Sequence, residues 1–345
     1  MPANLTPEYK RAEQAYRAAQ DERERLACLK EMLRTIPKHK GTEHLQADIK
    51  SRIKQLTDEL SGPRKGAART GPVHVIRPEG AAQIALLGAP NSGKSALHAR
   101  LTGSRATVAP FPHSTQEPLP GMLPFEDIHF QLVDLPPITA EYIDAWLPNA
   151  LQPADAALLV VDLTDPACAE SVAALIAQLD AKRISLVPEW PSSRVETAPE
   201  EEDDDERALD PFRIRLPTLL VANKADLGFD PDDLAVLEEL IGLRLPHVAV
   251  SAETGEGLDA IAPFLFRELA IVRVYTKAPG KPPAMDKPFT VRRGATVLDV
   301  ARLVHKDIAA ALKYARIWGT GVFDGQQVGP EHVLHDRDVV ELHTR

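Results

Sequence analysis

Gln83-Ile84-Ala85-Leu86-Leu87-Gly88-Ala89-Pro90-Asn91-Ser92-Gly93-Lys94-Ser95-Ala96-Leu97 is the stretch that decides the fold of this chain. Gln83 to Leu87 reads as a short apolar strand, and Lys94 to Leu101 as the start of a helix. Between them, Gly88 to Ser95 matches G-x-x-x-x-G-K-[ST], a loop whose backbone N–H groups surround phosphates. Glycine at 88 and 93 permits a backbone too tight for a Cβ. The helix N-terminus adds unpaired donors and partial positive charge. In this reading Gly88, Ala89, Pro90, Asn91, Ser92, Gly93, Lys94, Ser95 and Ala96 line the phosphates. Lys94 reaches the β- and γ-phosphates, and the Ser95 hydroxyl binds Mg²⁺. The alternative is a Gly-rich turn before a helix. The four fixed positions arise by chance in a chain of this length about one time in a hundred, and the flanking strand and helix favour the phosphate loop.

Three later stretches complete a pocket. Ile128 to Val133 is β-compatible and ends in Asp134, followed by Leu135-Pro136-Pro137. An Asp at such a strand end can hold Mg²⁺ through water; alone it would be a turn residue. Leu216 to Ala222 is a near-continuous apolar run, the pattern of a strand buried on both faces. It delivers Asn223-Lys224-Ala225-Asp226 to the carboxyl edge of a sheet, where α/β ligands bind. The Asp226 carboxylate can accept from guanine N1–H and the 2-amino group, donors that adenine lacks. Val248 to Val250 is another short strand, and Ser251-Ala252-Glu253 after it offers a backbone N–H to guanine O6. The order of these stretches predicts GTP or GDP as ligand, with Mg²⁺. An ATPase is the competing reading, and it fails if Asp226 reads guanine.

The pattern around the pocket predicts an α/β fold. Helical segments at Ala167 to Ala181, Asp232 to Ile241 and Gly257 to Leu269 alternate with the strands. A mostly parallel sheet with helices on both faces follows, in a domain running over 73–270. Within it, 188–211 is an acidic, Pro-rich insertion. Its run Glu200 to Glu206 is expected to be disordered and solvated, or to meet a partner. Ahead of this domain, 1–62 reads as a helical extension, with one helix from Pro7 to Arg34 and another from Glu43 to Leu60. Leu45, Ile49, Ile53, Leu56 and Leu60 form one apolar stripe. The hairpin packs on itself or on the nucleotide domain, or it faces RNA through Lys38, His39 and Lys40 at its tip. A basic, Gly- and Pro-containing linker occupies 63–72.

The last segment, 271–345, opens with a strand from Ile271 to Thr276 and a Pro/Gly loop from Ala278 to Pro288. Phe289 to Arg292 is a second strand, Thr296 and Asp299 form a capping box for a helix, and Val339 to Leu342 closes as a strand. Strands around one helix predict a small β-grasp module without catalytic groups, suited to docking on RNA or protein.

These residues resemble the Obg-like GTPases, and more closely their developmentally regulated GTP-binding (DRG) branch. Gly88 to Ser95 is similar to the family's G-x-P-N-x-G-K-S loop. Phe111-Pro112-His113-Ser114-Thr115 is similar to its Y-x-F-T-T switch I sequence, which makes Thr115 the threonine that joins Mg²⁺ in the GTP state. Asp134-Leu135-Pro136 matches D-[IL]-P-G except at the last position, Pro137. Ile271 to Lys277, Tyr314 to Gly319, and Val328-Gly329 through Val340 resemble the TGS domain of that branch. The resemblance covers the chain from about residue 40 onward and implies ribosome, RNA or translation-factor partners, reached through the N-terminal helices and the TGS domain. The branch also carries a folded insertion in its G domain, which 188–211 does not resemble.

The resemblance makes Lys94 and Thr115 the expected catalytic residues, with Ser95, Thr115 and Asp134 around Mg²⁺. Pro137 has no N–H with which to sense a γ-phosphate. Ile138 stands where a water-orienting Gln commonly follows the switch II glycine, which predicts slow intrinsic hydrolysis. Asn91 matches the asparagine of potassium-stimulated GTPases and is a candidate K⁺ ligand, or it merely shapes the loop. A group supplied by a partner is the other candidate accelerator. The rival to an enzyme is a GTP-gated interaction module with little hydrolysis. His113 reads as a surface residue rather than a base.

Composition agrees with an intracellular α/β protein. The net charge of -10 is concentrated in Glu200 to Glu206, while Lys50, Arg52, Lys54, Arg64, Lys65 and Arg69 collect near the N-terminus. No DNA or membrane partner is expected. Two cysteines, Cys28 and Cys168, are too few for a disulfide framework. No apolar run is long enough to span a membrane, and Met1 leads into a polar segment rather than a secretory leader. A cytoplasmic location is the expectation.

Overall fold

The computed structural model describes residues 6–19, 22–37, 42–60, 76–104, 117–193 and 212–344. The chain divides into two compact units: Met1–Pro72 with Pro199–Arg213, and Val73–Ala198 with Ile214–Arg345.

Among its described residues the first unit holds three helices where the sequence predicts two. Pro7–Ala18 and Glu22–Thr35 replace the single expected helix, and Glu43–Leu60 is the third. Thr6 caps the first helix by accepting from the Tyr9 N–H at 3.1 Å. The helix stops because Ala19 turns extended, with ψ 125°, and Arg25 Nε donates to its carbonyl at 2.9 Å. Folding back lets Tyr9 and Ala12 bury against Leu29, Met32 and Ile36, which one continuous rod would leave in water. The stripe on the third helix turns inward: Ile49 is fully buried and Leu45, Ile53 and Leu56 pack beside it. Phe212 joins this core, with the Arg52 guanidinium 4.1 Å from its ring centre. The extension thus packs on its own core. Lys38 to Lys40 lies outside the described residues, as do residues 63–72 of the linker and Glu200 to Glu206.

In the second unit a seven-stranded sheet is built from β1 (Gln83–Gly88), β2 (Leu119–Phe125), β3 (Ile128–Asp134), β4 (Ala156–Asp162), β5 (Ile184–Val187), β6 (Ile214–Asn223) and β7 (His247–Ala249). β1 lies between β3 and β4, β4 pairs β6, and β6 pairs both β5 and β7, all parallel. Only β2 runs antiparallel, at the edge beside β3. Its prolines, Pro120 and Pro124, are tolerated at an edge and hide the strand from a pattern search. Alternate residues of the central strands feed two cores, as the period of two dictates. Leu87, Leu159, Val161 and Leu220 meet Leu175 and Leu237 on one face; Ile84, Leu86, Leu158 and Val221 meet Leu97 and Leu265 on the other. Helices therefore cover both faces, as predicted.

Part of the expected acidic insertion is folded. Trp190 is buried and packs edge-on against Phe264, 5.1 Å between ring centres. Residues 194–211 lie outside the described residues.

A five-stranded sheet closes the chain: β8 (Ile271–Thr276), β9 (Ala284–Arg292), β10 (Leu312–Trp318), β11 (Gln326–Val328) and β12 (Asp338–Thr344), in the order β11-β10-β12-β8-β9. β8 and β12 are parallel and central. The helix Val297–Val304 carries the predicted capping box, with Thr296 accepting from the Asp299 N–H and Asp299 accepting from the Thr296 N–H. Val297 and Val300 pack on Val272, Val274, Ile317 and Val340. Two expectations change. A short second helix, Lys306–Ala311, follows the first. The loop predicted to reach Pro288 is strand from Ala284, because the outer end of β9 is exposed and shows no apolar alternation to read.

This module meets the tip of the β2–β3 hairpin through Arg273, Tyr275 and Arg337. Arg273, 3% exposed, donates to Glu126 and Asp127 at the hairpin tip and to Asp336 on its own module. Tyr275 donates to Asp127, and Arg337 donates to Glu126 at 2.8 Å. Glu126 takes φ +49°, a conformation in which a tight hairpin normally places Asn or Gly, so a strained tip presents the two acids.

Candidate nucleotide-binding site

The site lies at the carboxyl ends of β1, β3, β4 and β6. β1 delivers Gly88 into the loop that opens the helix Lys94–Thr102. The loop is tight for the reason its glycines suggested. A Cβ on Gly88 would stand 2.7 Å from the Val160 carbonyl oxygen, and one on Gly93, at φ +84°, 2.2 Å from Asn223 Nδ2. Asn91, exposed, also takes a left-handed φ of +64°. Ala89, Pro90, Gly93, Ser95 and Ala96 are half-buried, while Ser92 and Lys94 are buried.

Asp134 is brought to this loop by parallel pairing, which sets Leu86 opposite it. It is 1% exposed and accepts from both Lys94 Nζ and Ser95 Oγ, the latter at 2.6 Å. Burial lowers the affinity of the Lys94 amine for its proton, and the Asp134 charge opposes that. A hydroxyl, a carboxylate and a cation therefore converge at one helix N-terminus. His98, one turn on, is buried, and that burial lowers its pKa. Its Nε2 lies 3.3 Å from the Leu132 carbonyl and its Nδ1 3.3 Å from Ser104 Oγ, the outermost described hydroxyl before residues 105–116. Thr115 and the rest of Phe111 to Thr115 lie outside the described residues.

Asn223 joins three loops. Its Nδ2 donates to the Ser92 carbonyl at 3.0 Å, and its Oδ1 accepts from the Ala252 N–H at 3.0 Å. The phosphate loop, the Asn223 to Asp226 turn and the Ser251 to Glu253 loop are thus one assembly. Val250 donates to the Ala222 carbonyl and Ala225 to the Val250 carbonyl, which sets the two outer loops side by side. Ser251 is fully buried and organises its own loop, accepting from Thr254 N–H through Oγ. Asp226 is exposed on a single 3₁₀ turn, Ala225–Leu227, as is Glu253 on the neighbouring loop.

Leu135 and Ile138, 1% and 2% exposed, are core residues on either side of Pro136-Pro137. Sequence reasoning passed over Asp162, which ends β4 opposite Asn223 and meets Lys224. Its signal was available: like Asp134, it is an acid ending an apolar strand beside the pocket.

The family models agree with this layout. The model described as "50S ribosome-binding GTPase" matches residues 83–189, and the TGS domain model matches 272–344. A GTP-binding protein of Methanocaldococcus jannaschii is 26% identical over 361 residues, covering 92% of each chain. Developmentally-regulated G-protein 1 of Arabidopsis thaliana is 27% identical, covering 90% of this chain and 88% of that one. Developmentally-regulated GTP-binding protein 2 of Homo sapiens is 25% identical, covering 91% and 96%. Among the described residues no helix is long and apolar enough to cross a membrane. The chain therefore joins a P-loop GTPase domain, built on a mostly parallel sheet, to a C-terminal TGS domain, and over about nine tenths of its length it is similar to GTP-binding proteins of the developmentally regulated type.

Proposed function

We propose that this protein is a Mg²⁺-dependent GTPase of low intrinsic rate that works on the ribosome or on RNA in translation. The observation that carries the proposal is the assembly held by Asn223, in which phosphate loop and guanine-reading loops share hydrogen bonds. Lys94 supplies charge to the phosphates and Asp226 the acceptors that select guanine. Ser95 and Asp134 fit Mg²⁺: hydroxyl and carboxylate oxygens 2.6 Å apart suit a hard cation, with Thr115 as the third ligand. Asn91 is the proposed K⁺ ligand. The slow rate rests on Pro137 and on Ile138, whose buried side chain cannot orient water. The ribosome assignment rests on the description of the matching G-domain model and on the TGS domain. Residues 1–62 and 271–345 are the proposed partner-facing parts, with 73–270 as the nucleotide domain.

Two measurements test this. Asp226→Asn is expected to move preference from guanine to xanthine nucleotides in competition binding, because the amide offers a donor where guanine needs an acceptor. An unchanged preference removes Asp226 from base recognition. GTP turnover is expected to rise in KCl over NaCl, or on adding large ribosomal subunits. Tight binding without turnover in every condition supports instead a GTP-gated interaction module, the reading that Pro137 and Ile138 favour.

A further inference from the structure

Lys224 takes a left-handed φ of +63°, a backbone state that a residue with a Cβ holds only when its surroundings impose it. Both its side chain and its backbone are held. The Lys224 amine donates to Asp162 Oδ2 at 2.6 Å, with the Asp162 side chain 11% exposed. Asp162 is itself fixed: its Oδ1 accepts from the Thr164 N–H at 3.0 Å and from Thr164 Oγ1 at 2.6 Å. Burial raises the Asp162 pKa, yet the hydrogen bonds from Lys224 and Thr164 outweigh it, so the carboxylate stays charged. Lys224 also accepts through its carbonyl from Leu227 N–H at 2.9 Å, closing the turn that displays Asp226. The strands impose this juxtaposition, since β4 and β6 pair in register with Asp162 opposite Asn223.

We propose that Asp162 is the positioning residue of the guanine-reading turn: through Lys224 it holds Asp226 where the base is bound. The inference rests on the guanine-nucleotide reading above. Asp162 acts on the base end of the ligand and not on the phosphates. Its loss therefore weakens GDP and GTP equally, whereas a residue facing the γ-phosphate separates the two. Its effect also passes through Lys224, so the two residues act as one unit and their losses do not add.

The test is titration of the full-length protein with fluorescent GDP and with a fluorescent non-hydrolysable GTP analogue. Asp162→Asn keeps the Thr164 contacts and removes the charge, and Lys224→Met keeps the stem and removes the amine. Each is expected to weaken both nucleotides by the same factor, about tenfold for one charge-assisted hydrogen bond. The double variant is expected to bind no more weakly than Lys224→Met alone. Wild-type affinity in Asp162→Asn overturns the proposal, as do additive losses in the double variant. Circular dichroism of each variant excludes misfolding, and Lys224→Met supplies the comparison if Asp162→Asn does not fold. Absence of binding by the wild type would instead overturn the nucleotide reading itself.

Discussion

Replacing Arg273 by methionine is expected to cost about 2–4 kcal/mol of unfolding free energy, because Asp336 loses the guanidinium it accepts from, while Glu126 is left with Arg337 and Asp127 with Tyr275. The value sits below the range for fully buried pairs, since Glu126 and Asp336 keep part of their surface in water. Methionine keeps the aliphatic stem but removes the guanidinium, whose central carbon lies 4.8 Å from the centre of the Phe266 ring, so the loss reports the ion pairs and this cation–π contact together. Lysine at 273 should recover only part of it, having no planar fork for three acids. The sign with pH is fixed by the same geometry. Hydrogen bonds from Arg273 and Arg337 lower the pKa of Glu126. In Asp127 and Asp336 burial raises the pKa, and their hydrogen bonds to Tyr275 and Arg273 overcome it. A lowered carboxylate lends stability that is complete above its unfolded pKa, about 4, and disappears as pH falls through the folded value. The wild type and Arg273→Met should therefore differ most near neutrality and converge in acid. Denaturant melts at pH 7 and pH 3 decide it. A gap of equal size at both pH values would show that packing, and not charge, is what Arg273 contributes.

Lys94→Ala is expected to lower affinity for GTP about a hundredfold, the weight of strong charge-assisted hydrogen bonds to phosphate. It should also damage the empty protein. Asp134, 1% exposed, would retain Ser95 as donor but lose its cation; removing one partner of a buried ion pair costs about 3–5 kcal/mol. The two effects separate in thermal unfolding. Wild type with GTP at a hundred times its dissociation constant gains about 2.7 kcal/mol, and the variant at the same concentration gains far less. A variant that melts as the wild type does, yet fails to bind, would mean that Asp134 finds another donor in the empty site. A variant that still binds tightly would overturn the pocket.

The pocket was legible because its chemistry is written in short, ordered runs. Gly88 to Ser95 and Asn223 to Asp226 are contiguous, each sits at the end of an apolar strand, and backbone geometry alone prescribes the glycines. The parallel sheet was legible for a related reason: β1 and β6, buried on both faces, leave near-continuous apolar runs. What escaped reading had weak local signals. β2 carries two prolines and faces solvent at one edge. The break after Ala18 has no proline or glycine to announce it, and follows from the gain of packing Tyr9 on Leu29 and Met32. The outer half of β9 is exposed and lacks alternation. Trp190 read as part of an acidic insertion because its packing partner, Phe264, lies far along the chain.

The sequence by itself determined the nucleotide class, the order of the domains and the departure at Pro137, since each depends on residues close in the chain whose backbone or side-chain chemistry is intrinsic. Only the tertiary structure decided which groups share a hydrogen bond. It set Asn223 between Ser92 and Ala252, Asp162 on Lys224, and Arg273 among Glu126, Asp127 and Asp336. These contacts depend on strand register and on burial, which join residues from 29 to 147 positions apart, and no local pattern encodes the partner of a buried charge.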